Sequence, residues 1–264
     1  MQTLAPGLGV VLAPNPGFMT GPGTNQYVLG AGALQLDCAP LDDENARRLG
    51  DRAPDLLVLT HAHPDHVGGA PALRAAHGTP IAVHARHRSV TVGGVPLVPE
   101  RTLADGDEIP FPGGRLVVVH TPGHESGHCC LWEPERRWLF TGDTILSTGT
   151  TIVAPPDGDM RAYMASLRRL RDLAPAVIFP GHGGPVEEAV ALVDQYLAHR
   201  TLRERQIVEA LGVGVGAIDD IVARLYVDLH PALRWAAART VEAHLEKLAA
   251  DGVARHGAGG WQLA

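Results

Sequence analysis

Between Leu59 and Gly69 the chain reads LTHAHPDHVGG, which crowds His61, His63, Asp65 and His66 into one short stretch. Imidazole and carboxylate are ligands for divalent transition ions. Pro64 disfavours the helical region for His63, so an extended backbone would turn His61, His63 and Asp65 to one side. Gly68 and Gly69 then allow close packing where a helix begins. Three further strand-like segments end in the same way: VVVHTPGH at His124, LFTGD at Asp143 and VIFPGH at His182. In each, a hydrophobic run stops, a glycine permits an unusual turn, and a metal-competent side chain follows.

Five imidazoles and two carboxylates suit a pair of divalent ions bridged by a carboxylate and a water. Two such ions lower the pKa of the shared water to about neutrality and give a bridging hydroxide nucleophile. That hydroxide would attack phosphorus or a carbonyl carbon polarised by one of the ions. Asp65 is placed to accept or orient its proton. Zinc is the first choice for imidazole-rich sites, and iron or manganese also fit. His84, His87 and His120 read as structural residues. His128, four residues past His124, is a candidate supporting or substrate contact.

These residues need a scaffold that brings strand ends together. Short apolar runs at 24–30, 33–37, 55–60, 80–84, 115–121, 137–142 and 176–181 read as strands. Helical patterns fall at about 41–52, 65–77, 159–173 and 185–211. The interleaving predicts a layered α/β architecture whose loops converge on one sheet edge. Cys129 and Cys130 are neighbours in an apparent strand and should face opposite ways. Three cysteines make a disulfide framework improbable.

After about residue 195 the strands give way to three helical segments, RTLRERQIVEALG, AIDDIVARLYVDL and PALRWAAARTVEAHLEKLAADG. VARHGAGGWQLA then reads as a terminal hairpin, so the tail has the layout of a winged helix with Trp235 and Leu245 as expected core residues. The division expected is a catalytic domain over 1–194 and a winged-helix domain over 195–264. The chain has 264 residues and a net charge of −7, which gives no global attraction to nucleic acid or an anionic membrane. No apolar run approaches the roughly 20 residues of a membrane span. The first residues lack a secretory pattern, which points to the cytoplasm.

Together, H-x-H-x-D-H, T-P-G-H, G-D and P-G-H resemble the metallo-β-lactamase-fold hydrolase superfamily, an αββα sandwich with its metals along one edge. GPGTNQYVLG, GDTILSTGTT, YMASLRRL and PGHGGPV narrow the resemblance to the lactamase-β-like subgroup with a C-terminal associated winged-helix domain. The resemblance implies that His61, His63 and His124 hold one metal, Asp65, His66 and His182 the other, and that Asp143 bridges. It also implies a hydrolase. Subgroup members include a single-strand endoribonuclease and acyl-carrier-protein thioesterases.

Three substrate readings and one non-catalytic reading follow. Single-stranded RNA is the closest family analogy, although eight basic and eight acidic side chains leave residues 195–264 neutral. A thioesterase acting on acyl-carrier-protein, coenzyme A or glutathione thioesters is the alternative. A true β-lactamase is opposed by Asp143 and by the missing export signal. A DNA-binding winged-helix regulator without catalysis is opposed by the complete ligand set and the neutral tail. The tail would then wall the active site or mediate self-association into a homo-oligomer.

Overall fold

The computed structural model describes residues 1–51, 53–87 and 90–264. The first sheet is built from β1 (Gln2–Ala5), β2 (Leu8–Leu12), β3 (Asn25–Leu29), β4 (Leu34–Leu36), β5 (Leu56–Val58) and β6 (Ile81–His84). A small hairpin, β7 (Thr91–Val92) and β8 (Val95–Pro96), precedes its last strand, β9 (Arg101–Leu103). The second sheet is β10 (Glu108–Phe111), β11 (Gly114–His120), β12 (Cys129–Glu133), β13 (Trp138–Gly142) and β14 (Val177–Pro180). Strands β4, β5, β6 and β9 run parallel, as do β13 and β14, whereas β1 to β4 and β10 to β13 form antiparallel meanders.

The sheets pack face to face. Leu29, Leu36, Val58 and Ala82 of the first meet Leu116, Val118, Leu131 and Phe140 of the second. Helices α1 (Asp43–Leu49), α2 (Pro64–Val67) and α3 (Ala70–His77) belong to the first half, and Val67, Ala70 and Leu73 cover Leu57, Ile81 and Val83. On the far side, α4 (Met160–Asp172) and α5 (Ala189–Gly212) cover Val119, Cys130, Leu139 and Ile178 through Tyr163, Leu167 and Val193. This is the expected αββα sandwich. Cys129 lies in the inner core and Cys130 in the outer one, as strand alternation requires.

The expected helix over 65–77 is two helices. Pro64 takes the first position of α2, where its missing N–H costs nothing, and Gly68–Gly69 separates α2 from α3. A methyl at Gly69 would lie 2.3 Å from the Ala39 carbonyl oxygen and 2.6 Å from Cys38 Sγ, so the chain crosses there too closely for any other residue. Of the expected helix 41–52, Arg52 lies outside the described residues. Strands β1, β2, β9 and β10 were not anticipated, because they are short and broken by Gly, Pro and charged residues.

The tail is α6 (Ile218–Leu225), α7 (Arg234–Ala250), β15 (Ala254–Gly257) and β16 (Gly260–Leu263), a winged helix whose hairpin turns at the expected Gly-Ala-Gly-Gly. RTLRERQIVEALG is no separate helix but the second half of α5, which runs unbroken from the sandwich into the tail. Leu245 is fully buried with Ile207, Ile221 and Val241. We expect Leu245→Ala to cost about 2–5 kcal/mol of stability, read as a lowered midpoint in urea at unchanged slope. Trp235, expected in the same core, is instead 56% exposed. It stands one residue into α7, on the side turned toward the sandwich edge. Among the described residues no helix is long and apolar enough to cross a membrane.

Candidate metal site

All seven predicted ligands meet at one edge of the sandwich. Strands β5, β11, β13 and β14 end there, and the loops that follow carry His61 and His63, His124, Asp143 and His182 in turn. Extended backbone holds His63, but Asp65 and His66 are delivered by the helical turn that Pro64 opens. The alternation read from the sequence therefore stops at His63. The edges are laced together: Cys129 N–H donates to the Thr60 carbonyl at 2.8 Å, and Asn25 N–H to the Gly181 carbonyl at 2.8 Å. Asn25 Nδ2 and the Tyr27 hydroxyl both donate to the Pro180 carbonyl, which fixes the His182 loop.

The donor atoms fall into two groups, His61, His63, His124 and Asp143, and Asp65, His66 and His182, each group within 4.8 Å. Asp143 faces both. Its Oδ1 is 3.3 Å from His66 Nε2 and 3.3 Å from His182 Nε2, and its Oδ2 is 3.9 Å from His61 Nε2 and 3.8 Å from His124 Nε2. Asp65 Oδ2 lies 3.3 Å from His66 Nε2 and 3.2 Å from His182 Nε2.

These separations test whether cations fit. Ligand atoms about 2.0–2.2 Å from a tetrahedral ion stand about 3.3–3.6 Å apart. The Nε2 atoms of His66 and His182 stand 3.4 Å apart, and each lies 3.2–3.3 Å from Asp65 Oδ2 and 3.3 Å from Asp143 Oδ1, close to that spacing. The outward nitrogens are committed elsewhere: His66 Nδ1 lies 2.8 Å from Asp37 Oδ2, His124 Nδ1 2.7 Å from the Ile152 carbonyl, and His182 Nδ1 3.1 Å from the Gly23 carbonyl. With a proton on each Nδ1, the Nε2 lone pairs point inward. His63 Nδ1 lies 3.1 Å from His61 Nε2 and 2.9 Å from His124 Nε2, and at most one of those contacts can carry a proton. Asp143 Oδ1 is buried without a hydrogen-bond partner. Such a donor set suits a pair of cations. Burial works against charge on Asp143, yet His66 and His182 outweigh it and hold the carboxyl well below the usual range. Burial likewise opposes charge on His182, but the adjacent Asp143 and Asp65 carboxylates push it up to about 9. Metal binding would therefore displace protons.

Residues not foreseen support the ligands. Asp37 Oδ1 accepts from Thr60 N–H at 2.8 Å and Oδ2 from the Thr60 hydroxyl at 2.9 Å, while Thr60 Oγ1 is 3.0 Å from His61 Nδ1. One buried carboxylate thus orients a histidine in each group. Glu125 Oε2 accepts from Ala62 N–H at 2.7 Å and lies 3.1 Å from His87 Nε2. Burial disfavours its charge, but His87 and the Ala62 amide hold it down at about 2. His128 is fully buried, and its Nε2 accepts from Asp143 N–H at 3.1 Å, which steadies the loop rather than reaching substrate. His84 stacks on His120 with ring centroids 4.1 Å apart, away from the site.

Gly123, at φ +139°, makes the turn before His124, and a methyl there would lie 2.3 Å from Tyr163 Cα. Gly181 is required for closeness alone: a methyl would lie 2.7 Å from Asp143 Oδ1 and 2.8 Å from His66 Cε1. We expect Gly181→Ala to weaken metal affinity by about 10–100-fold with the fold retained, checked by competition against a chromogenic chelator.

A β-sandwich flanked by helices, with clustered imidazoles and carboxylates at one open edge, has the architecture of a metallohydrolase. Residues 20–182 match the Metallo-beta-lactamase superfamily, and residues 217–261 match the Beta-lactamase associated winged helix domain. The chain belongs to the metallo-beta-lactamase superfamily. It is 33% identical to the Beta-lactamase-like protein 2 homolog of Caenorhabditis elegans, over 96% of this chain and 88% of that one. It is 34% identical to an atrochrysone carboxyl ACP thioesterase of Aspergillus fumigatus, over 80% of this chain and 67% of that one. A metallo-beta-lactamase family protein from Thermus thermophilus shares the fold at a TM-score of 0.82 and 24% identity, with 99% of this chain and 100% of that one covered.

Proposed function

We propose that the protein is a dinuclear, zinc-preferring hydrolase of acyl thioesters. The carrying observation is a cavity of about 360 Å³ that joins His124, Asp143 and His182 to a largely apolar wall. That wall comes from Phe18 and Met19 on one side and from Leu229, Leu233 and Ala236 of the winged helix on the other. Phe18 stacks on His230 with centroids 4.7 Å apart, so the N-terminal loop and the tail close over the site together. A neutral thioester and its acyl chain suit such a wall, since each Å² of apolar surface removed from water contributes about 25 cal/mol. The similarity to a carrier-protein thioesterase agrees with this reading.

Single-stranded RNA, the first choice from sequence, asks for a cationic groove with stacking platforms. Three of the arginines on α4 are engaged by acids. Arg161 pairs with Asp251, Arg169 with Asp105 at 2.7 Å, and Arg171 with Asp194 at 2.5 Å. The geometry therefore favours the acyl alternative.

When bound, a pair of divalent cations supplies Lewis acidity and a water ionised near neutral pH. His61, His63 and His124 would hold one ion, Asp65, His66 and His182 the other, and Asp143 would bridge. Asp65 lines a second opening of about 330 Å³ beside Trp235, and it accepts from the Thr24 hydroxyl at 3.2 Å. That leaves it positioned to take or orient a proton at Oδ2. The apolar wall excludes water from the acyl side, and the winged-helix part, which we delimit at 195–264, acts as that wall. The test is the initial rate of zinc-loaded protein on an acyl-carrier-protein thioester and on labelled single-stranded RNA, with Asp143→Ala as blank. Mutant-sensitive thioester cleavage is expected. Mutant-sensitive RNA cleavage without thioester cleavage would overturn the reading.

A further inference from the structure

The same cavity holds a cation that the metal site does not use. Arg200, on α5, is 1% exposed and lines the cavity together with Thr240 of α7. Its Nη2 donates to the Thr151 carbonyl, and its guanidinium lies 5.2 Å from the centre of the Tyr163 ring. Its Nε is buried with no partner. Among the described residues Arg200 makes no ion pair with an acid. The acid one turn along the helix, Glu204, is engaged by Lys247 at 2.8 Å and by His244 at 3.8 Å.

A guanidinium offers five N–H groups in a fork that matches a carboxylate. Taking one out of water is costly unless a counter-charge repays it, and one carbonyl with the ring face and neutral hydroxyl of Tyr163 does not. Removal of the charge would be the expected solution for a purely structural tether, since a neutral side chain could pack in its place. The retained charge, its unpartnered Nε and its position on the wall of a cavity shared with the candidate metal ligands suit an anionic group on the substrate.

We infer that Arg200 anchors a carboxylate on the acyl group of the substrate, so that the enzyme takes acyl thioesters whose chain bears a negative charge remote from the reacting end. The inference rests on the thioester reading for the identity of the reacting end. The remote carboxylate would lie against the guanidinium while the apolar wall accommodates the chain between the two ends. The fork reads a planar anion, so specificity would lie in the presence of the carboxylate and in the chain length that spans the cavity.

A binding experiment on the full-length, zinc-loaded protein tests this without turnover. Dissociation constants are measured by calorimetry for the dicarboxylates from succinate to suberate and for monocarboxylates of equal length. At the best-fitting length the dicarboxylate is expected to bind about tenfold more tightly than its monocarboxylate. Arg200→Met should bring that ratio to about one, and Arg200→Lys should keep part of it. Any loosening of the Thr151 segment would weaken both ligands alike and leave the ratio unmoved, so the ratio separates anchoring from structural support. A ratio of one at every length in the unaltered protein, or a tenfold ratio that survives Arg200→Met, would overturn the inference. A ratio that behaves as expected in a protein that hydrolyses no thioester would sink the thioester reading and leave the anchor standing.

Discussion

Replacing Asp143 by Asn should lower kcat/KM on the proposed thioester substrate by about three orders of magnitude, or about 4 kcal/mol of transition-state stabilisation. The volume is conserved and His128 still receives the backbone N–H, so the fold should survive. What disappears is the charge that faces both donor groups: Oδ1 toward His66 and His182, Oδ2 toward His61 and His124. An amide can present one oxygen to one group, and its NH₂ would face the other group as a donor among lone pairs. Metal content per chain should therefore fall from two ions toward one, together with activity. Chelation of the unaltered protein should give the same activity floor. Elemental analysis alongside initial rates checks this, and a variant with full turnover and two ions would sink the bridging role. The fold control is an unchanged far-UV spectrum, because a variant that simply unfolded would also lose both ions.

His124, Asp143 and His182 were legible as candidate ligands because each stands directly after a hydrophobic run and a glycine, and His61, His63, Asp65 and His66 because they crowd together behind one strand-like run, local patterns that need no knowledge of what lies across the sheet. The wing was legible for the same reason, since Gly257 to Gly260 sit between two short alternating segments. Contacts across the fold were not. Nothing in the sequence marks Glu125, and only the tertiary structure shows its carboxylate on Ala62, 63 residues away in sequence. Trp235 carries the composition of a core residue and the spacing of α7, yet the face it occupies is decided by where α7 docks. Arg161 and Arg239 help fix that docking, the first through Asp251 and the second through the Pro155 carbonyl. Arg200 is the sharpest case. In sequence it is one of several arginines along a helix, and burial alone distinguishes it from Arg203 and Arg205, which pair or face solvent.

Asp37→Asn should be nearly as damaging as the loss of a ligand, although Asp37 touches no metal-facing atom. In LQLDCAP it reads as an ordinary polar residue at a strand end, and its partners Thr60 and His66 are 23 and 29 residues away. At φ +59° it holds a strained backbone that Asn tolerates, so the substitution tests the carboxylate rather than the turn. Asp37 Oδ1 must keep accepting from Thr60 N–H, which leaves the amide NH₂ where Oδ2 now accepts from the Thr60 hydroxyl and lies beside His66 Nδ1. A donor there opposes a proton on Nδ1 and drives the ring to the other tautomer, with its proton on Nε2. That proton occupies the lone pair that faces His182 and both carboxylates. The chain from Asp37 through Thr60 to His61 is broken in the same step, so both donor groups are affected. Affinity for zinc should fall by about 10–100-fold, and excess zinc should restore most of the lost rate. Competition against a chromogenic chelator gives the first number, and a zinc titration of initial rates gives the second. Unchanged affinity would mean that His66 keeps its tautomer without the carboxylate, and that Asp37 serves the strand turn alone.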